Sequence, residues 1–252
     1  LAGELSRFWP LLALAVAIGA VGLVDDRRGL SASLRVLVEM GAATLLWVAD
    51  LGWSLFSSDV ANLILTNVWV VALINATNLL DLMDGVAGTV TSVSAAGVGV
   101  LAAIEGDAAL AVLAFSLSGA CAGFLAHNLR SPARIYLGDC GSMAIGFLLA
   151  GLIASLPLEA HAGWVALLAA IPLFGVPLFD VALRIFLRVR RGVSLMTAGP
   201  DSVANWLHAR LGSPPRVAYS LDATQAVHCG LFVSALRLGD AAERDCAFEL
   251  GL

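Results

Sequence analysis

The sequence predicts an all-α protein, a polytopic transmembrane helical bundle of seven or eight spans. Hydrophobic residues make up 60% of the 252 residues and charged residues only 13%. A water-soluble protein of this size contains fewer hydrophobic and more charged residues. Apolar stretches long enough to cross a bilayer as helices recur along the chain. Loop arginines collect on one side of the bundle that these stretches imply.

The spans follow from length, because about 20 mostly apolar residues suffice for a transmembrane helix. Seven stretches qualify: residues 8–24, 36–53, 60–80, 86–104, 108–125, 141–156 and 162–179. An eighth run, residues 217–236, contains polar side chains, so crossing the bilayer and lying along its surface stay equally open. We treat residues 1–252 as one integral-membrane domain, with its core at residues 8–216 and a polar tail at residues 239–252.

The loops divide by charge. Arginines follow the first span, precede the sixth and follow the seventh, whereas the loops at residues 49–59, 105–107 and 157–163 contain acids and no Arg. Because Arg collects in cytoplasmic loops, the Arg-rich side is predicted to face the cytoplasm. Helix counting places the acidic segment 81–85 on that side too. Four polar loops therefore share one face, which predicts a single site.

Adjacent carboxylates, Asp25 and Asp26, end the first span. Two neighbouring anions repel each other unless a cation or hydrogen-bond donors hold them. One interpretation is a solvated helix end beside Arg27 and Arg28. The other is a catalytic base or a pair that faces magnesium.

A polar strip ends the third span, where Asn75, Asn78, Asp81 and Asp84 recur at every third residue. A charged side chain costs about 2.5 to 3.5 kcal/mol at the centre of a membrane helix, and less toward the interface. Hydrogen bonds between helices explain the amides, but they explain the acids poorly. The strip therefore favours a functional site.

The segment "NLRSPARIYLGDCGS" separates the fifth and sixth spans. Asp139 lies at the start of the sixth span, where it either caps the helix or binds a hard cation such as Mg²⁺. Arg130 and Arg134 have no acidic residue next to them in the sequence. A guanidinium matches the geometry of a phosphate, so we expect both arginines to contact a phosphorylated substrate.

Together, the three motifs resemble those of the polyprenyl-phosphate N-acetylhexosamine-1-phosphate transferase family and, more distantly, of the peptidoglycan translocase that makes lipid I. "DDRRGLSASLR" is similar to the family's Asp-Asp loop and its later basic residue. "NATNLLDLMDGVAG" is similar to the family's Asn- and Asp-rich motif but has Leu82 where Gly is usual. "NLRSPARIYLGDCGSMAIG" is similar to the third motif, with one extra residue before Pro132 and with Tyr136 as the aromatic.

The resemblance implies transfer of a sugar 1-phosphate, with GlcNAc-1-phosphate as the first choice, from a UDP-sugar to undecaprenyl phosphate with release of UMP. It implies Mg²⁺ as the cofactor, with Mn²⁺ as an alternative, and a bacterial inner membrane with the site facing the cytoplasm. The expected partners are these two substrates and membrane lipid, with a homodimer compatible and nucleic acid not expected. The resemblance carries over Asp139 and Asn78 as metal ligands, Asp25 and Asp26 beside the lipid phosphate, Arg35 as a phosphate-binding residue, and Asp81 and Asp84 at the nucleotide site. We therefore expect Asp25, Asp26, Asp81 and Asp84 to be catalytic residues, and the substrate-binding residues to be Arg35, Asn75, Arg130, Arg134, Arg191 and His208.

The match has two further departures. The segment "RRGVSLMTAGPDSVANWLHARLG" corresponds to a His-rich segment of the family but retains only His208. The chain starts at Leu1 rather than Met, and we expect a further membrane span and a Pro/Gly-rich loop to precede it. The alternatives are a truncated or non-catalytic homologue that acts as a scaffold and a membrane transporter, since intramembrane acids also mark cation routes.

Overall fold

The computed structural model of the protein describes residues 2–130, 132–157, 167, 168, 170–194 and 201–250, with side chains described as far as residue 234. Within these ranges the chain is helical and contains no strand, which confirms the all-α class. Nine helices of nine or more residues lie within the described ranges: α1 Trp9–Arg28, α2 Ala32–Val48, α3 Asp59–Leu80, α4 Val86–Ile104, α5 Ala108–Asn128, α6 Gly138–Ala154, α7 Gly175–Arg191, α8 Val203–Leu211 and α9 Pro214–Leu250.

Short polar side chains fix where several helices begin. Ser31, Ser58, Asp107 and Ser202 precede α2, α3, α5 and α8, and each accepts a hydrogen bond from a backbone N–H in the first turn of its helix. Those first-turn N–H groups have no partner within the helix, so a side-chain oxygen at this position stabilises the start. The helix boundaries therefore follow from local sequence as well as from packing.

The helices confirm a polytopic membrane protein. Those long and apolar enough to cross a bilayer, among the described residues, are Gly3–Arg28, Asp59–Leu80, Val86–Ile104 and Ala108–Asn128. The predicted second and sixth spans form helices of 17 residues each, α2 and α6. The predicted seventh span lies partly outside the described residues, and its described part continues as α7 to Arg191. The eighth run lies inside α9.

The core lies where α1 and α3 pack against α6, while α4 packs against α5 and α9. Glycines allow α1, α3 and α6 to approach closely. A Cβ on Gly22 of α1 would lie 2.4 Å from the carbonyl oxygen of Asp139, and one on Gly146 of α6 would lie 3.0 Å from the Cα of Ile74. Small residues at such contacts let membrane helices approach closely. This packing brings the last turn of α1 beside the first turn of α6.

Candidate active site

The three sequence motifs meet at one end of the bundle. A cavity of about 600 Å³ opens there, between the end of α1, the end of α3 and the start of α6. It is lined by Asp26, Asp81, Leu82, Met83, Asp84, Tyr136, Gly138, Asp139, His208 and Pro214. Four carboxylates from three separated segments therefore share one cavity.

Asp26 closes the start of α6. One of its carboxylate oxygens accepts a hydrogen bond from the backbone N–H of Asp139 at 2.9 Å, and the other accepts from the backbone N–H of Cys140 at 3.1 Å. The N-terminus of a helix carries unpaired N–H groups and a partial positive charge, and both favour a carboxylate. Gly138 has φ 65, and a Cβ at this position would lie 3.0 Å from Asp26 Oδ2. The glycine therefore leaves room for the carboxylate.

Asp25 is buried rather than solvated. It accepts from the backbone N–H of Leu30 at 2.5 Å and from Arg35 Nη1 at 2.9 Å. The same guanidinium nitrogen lies 3.4 Å from Asp139 Oδ2. Arg35 thus joins the first motif to the third, and the interpretation of Asp25 as a solvated helix end is wrong because only 8% of the residue is exposed.

Asp139 faces α3 and does not cap its own helix. The residue before α6 is Leu137, which provides no side-chain cap. Asp139 Oδ1 accepts from Asn78 Nδ2 at 2.5 Å, and the same nitrogen lies 3.0 Å from the Oγ of the buried Ser142. The two residues predicted as metal ligands are therefore in direct contact, and the capping alternative for Asp139 is wrong.

The cavity carries a surplus of negative charge. Burial is the main cause that raises the pKa of Asp81 to about 7. The backbone N–H of Gly138 opposes this rise, while the other carboxylates around the cavity add to it. A bound cation would relieve this repulsion.

Asn128 is a site residue that the sequence analysis did not identify. This buried residue at the end of α5 donates from Nδ2 to the carbonyl of Ile135 at 2.8 Å and to Asp84 Oδ1 at 3.4 Å. Its Oδ1 accepts from the backbone N–H of Gly85 at 2.6 Å. Asn128 therefore ties the second motif to the third. The available signal was a lone amide at the end of an apolar helix.

Asn75 does not line the cavity. Its Nδ2 donates to Glu39 Oε2 of α2 at 2.6 Å and to the carbonyl of Val71 at 2.9 Å. Glu39 is 1% exposed, and an acid buried within an apolar run needs a polar partner such as this amide. These two residues form a separate polar contact between α2 and α3.

The arginines predicted to bind phosphate differ in their surroundings. Arg130 and Arg134 are exposed, and neither forms an ion pair with a carboxylate among the described residues. Arg130 borders a hollow of about 60 Å³ beside Asp84. Arg191 pairs with Asp201 at 2.7 Å and does not line the cavity. His208 does line it, together with the acids of the second and third motifs.

The donor set suits a hard cation that keeps part of its water shell. No group of three or more His, Cys, Asp or Glu side chains able to hold a metal occurs in the described part of the chain. Mg²⁺ does not need such a group, because it commonly bridges one or two carboxylates to substrate phosphates and retains several waters. Asp139 and Asn78 offer a carboxylate and an amide beside a cavity with surplus negative charge. The residues present therefore fit this ion.

Fold and site together define a polytopic membrane protein with an acidic cavity at the ends of its helices. The family model described as glycosyl transferase family 4 matches residues 8–156, which include all three motifs. The chain belongs to this family, which confirms the resemblance seen in the sequence.

Several curated relatives are similar over most of this chain. It is 34% identical over 193 residues to the phospho-N-acetylmuramoyl-pentapeptide-transferase of Synechococcus elongatus, covering 66% of this chain and 50% of the relative. It is 34% identical over 230 residues to the decaprenyl-phosphate N-acetylglucosaminephosphotransferase of Mycobacterium tuberculosis, covering 80% and 55%. It is 28% identical over 189 residues to the probable undecaprenyl-phosphate N-acetylglucosaminyl 1-phosphate transferase of Bacillus subtilis, covering 69% and 52%. The chain thus spans about half the length of the curated relatives it matches.

Proposed function

We propose that the protein transfers a sugar 1-phosphate from a UDP-sugar to undecaprenyl phosphate, with GlcNAc-1-phosphate as the first choice. The products are UMP and a lipid-linked pyrophosphate sugar for cell-envelope polysaccharide synthesis. One observation carries the proposal: Asp26, Asp81, Asp84 and Asp139 surround one cavity at the ends of apolar helices. The names of the relatives, which specify decaprenyl-phosphate and undecaprenyl-phosphate transferases, support the same class of reaction.

In the proposed reaction, an oxygen of the lipid phosphate attacks the sugar-bearing phosphorus of the UDP-sugar. The bond from that phosphorus to the oxygen of UMP breaks, and UMP leaves with the electron pair. Such transfers depend mainly on positioning and on stabilisation of charge. Asp26 lines the cavity and Asp25 does not, so Asp26 is the carboxylate of this pair that would face the lipid phosphate.

The other residues have positioning and binding roles in this proposal. Arg35 fixes Asp25 and Asp139 relative to each other and presents positive charge beside the acids. Asp139 and Asn78 would hold Mg²⁺, or Mn²⁺ in its place, which when bound would neutralise charge on the phosphate oxygens. Asp81 and Asp84 would shape the nucleotide site, and His208 lines the same cavity.

We place the protein in the bacterial cytoplasmic membrane with the cavity facing the cytoplasm. The cavity opens at the end of α1 that carries Arg27 and Arg28. Arginine-rich ends of membrane helices stay in the cytoplasm, which supports this orientation. Transport is disfavoured because the cavity acids lie at one end of the bundle instead of along a path through it.

Purified protein in lipid nanodiscs tests the proposal. With undecaprenyl phosphate, Mg²⁺ and UDP-GlcNAc labelled in the sugar, we expect label in the lipid fraction and one UMP released per labelled lipid. A panel of other UDP-sugars identifies the donor, and an active relative serves as the positive control. If no UDP-sugar gives labelled lipid or UMP while the control is active, the catalytic proposal is wrong and the scaffold alternative replaces it.

A further inference from the structure

Helix α7 buries one pair of charged residues and exposes several apolar ones. Asp180 and Arg184 are 0% and 6% exposed, whereas Phe179 and Phe186 on the opposite side are 61% and 59% exposed. Charges removed from water destabilise a protein unless each is paired and hydrogen-bonded, and even a good buried pair contributes little net stability. The burial of this pair therefore points to a role other than stability.

The pair joins three helices. Arg184 Nε donates to Asp180 Oδ2 at 2.7 Å, which holds the two side chains together within α7. Arg184 Nη2 donates to the carbonyl oxygen of Leu79, in the last turn of α3, at 3.1 Å. The second oxygen of Asp180, Oδ1, accepts from the backbone N–H of Val203, the first residue of α8, at 2.6 Å.

The two backbone partners of the pair, Leu79 and Val203, belong to helices that carry cavity residues or their contacts. Leu79 lies between Asn78, which contacts Asp139, and Asp81, which lines the cavity. Helix α8, which starts at Val203, carries His208 to the same cavity. The pair thus links the end of α3, which carries Asn78, to α8, which carries His208.

We propose that Asp180 and Arg184 are positioning residues that hold the last turn of α3 and helix α8 at a fixed separation across the cavity. The kinetic consequence rests on the proposed transferase function, while the geometric one does not. Loss of the link leaves each half of the cavity intact and misaligns the two halves. A misplacement of about 1 Å can lower a reaction rate about 100-fold.

The kinetic test compares variants of α7. Arg184→Gln removes the charge, and we expect turnover to fall by about 10- to 100-fold per folded molecule. Arg184→Lys keeps the charge, but a single ammonium group does not contact Asp180 and Leu79 together as the guanidinium does. We therefore expect its turnover to lie between those of Arg184→Gln and the parent. Arg190→Gln makes the same charge change at an exposed position of the same helix and is the matched control, with turnover within twofold of the parent.

The geometric test does not need activity. Spin labels on Leu82→Cys and Ala209→Cys, both exposed positions, report the separation of the two halves in the full chain with its four native cysteines replaced. We expect a narrow distance distribution in the parent and in Arg190→Gln, and a broadened or shifted one in Arg184→Gln. Asp180→Asn, which keeps an oxygen for the Val203 N–H, gives a second measurement if Arg184→Gln does not fold.

The outcomes are distinct. An unchanged distance distribution, together with activity that falls only in proportion to the folded fraction, overturns the proposal and leaves an ordinary structural ion pair. A parent without transferase activity refutes the proposed function, whereas the distance measurement still decides whether the pair positions the two halves.

Discussion

The contact between Gly22 of α1 and the start of α6 lies at the backbone of Asp139, so even a methyl group at position 22 should displace this residue. A Cβ on Gly22 would lie 2.4 Å from the carbonyl oxygen of Asp139 and 2.6 Å from its carbonyl carbon. Both atoms belong to the backbone, so no side-chain rotation can relieve the clash. Gly22→Ala therefore requires α1 and α6 to separate.

The required shift can be judged from the distances. Carbon atoms pack at about 3.5 to 4.0 Å, so the Cβ and the backbone at Asp139 need to move apart by about 1 Å. Overpacking of this kind costs about 1 to 3 kcal/mol of stability. A displacement of about 1 Å at a catalytic group can lower the rate about 100-fold. We therefore expect a large loss of turnover with only a moderate loss of stability.

The assay measures transfer of labelled sugar to lipid and, on the same nanodisc sample, the midpoint of thermal unfolding. Gly41→Ala in α2 is the matched control, because nothing lies within 4 Å of the added Cβ. We expect the control to retain parent turnover. If Gly22→Ala transfers sugar at the parent rate, the tight contact does not position Asp139, and the account of how α1 orders the site is wrong.

Three further predictions concern single side chains. Asp139→Asn keeps the shape of the side chain but removes its charge, so we expect turnover to fall by about 10²- to 10³-fold while the inserted protein keeps its thermal midpoint. If the variant turns over at the parent rate, the assignment of Asp139 as a metal ligand is wrong. Glu39→Leu leaves the amide of Asn75 without one acceptor and should lower the free energy of unfolding by about 1 to 3 kcal/mol, measured by thermal or denaturant unfolding. Glu39→Gln should lower it by less. If adding Asn75→Leu to Glu39→Leu recovers no stability, this contact is not the cause of the loss. The pKa of Asp81 is raised from 3.8 to about 7, so the folded state binds its proton more tightly than the unfolded state does. Its contribution to stability is complete in acid and is lost as pH rises from about 4 to about 7. In EDTA we expect the thermal midpoint to fall more between pH 5.5 and pH 8 in the parent than in Asp81→Asn, and an equal fall in both would contradict this assignment.

The sequence predicted the meeting of the three motifs because span counting and the arginine distribution placed their loops on one face. It did not predict which side chains of the polar strip would share the cavity. A residue three positions along a helix is rotated by about 300°, so the strip turns by about 60° at every step. Asn75 is therefore about 120° from Asp81 and contacts Glu39 of α2, while Asp81 faces the cavity.

Hydropathy located the spans better than it located their ends. The predicted second span reached residue 53, yet α2 ends at Val48, and the chain turns at Asp50, which has a φ of 57. The apolar residue beyond the turn, Trp53, packs edge-on against Trp69 of α3. An apolar pattern records burial, and it does not distinguish a buried loop from the continuation of a helix.

The sequence also did not predict that the charged face of α7 is buried. Asp180, Arg184 and Arg188 lie at a spacing of four residues, which identifies a shared helix face. In a water-soluble protein a charged face would be the outer one. In a membrane protein the lipid-facing side is the apolar one, so the same pattern fits burial. Only the structure shows that Asp180 and Arg184 point inward to α3 and α8.

The central claim is that three separated segments hold a divalent cation between two phosphorylated molecules. Pulsed magnetic resonance of Mn²⁺ bound to the purified protein tests it directly, because phosphorus nuclei close to the ion give resolved couplings. We expect one bound Mn²⁺ per chain with phosphorus couplings when UDP-GlcNAc is present, and loss of that signal in Asp139→Asn. Mn²⁺ that shows only water couplings, unchanged in Asp139→Asn, would contradict the claim.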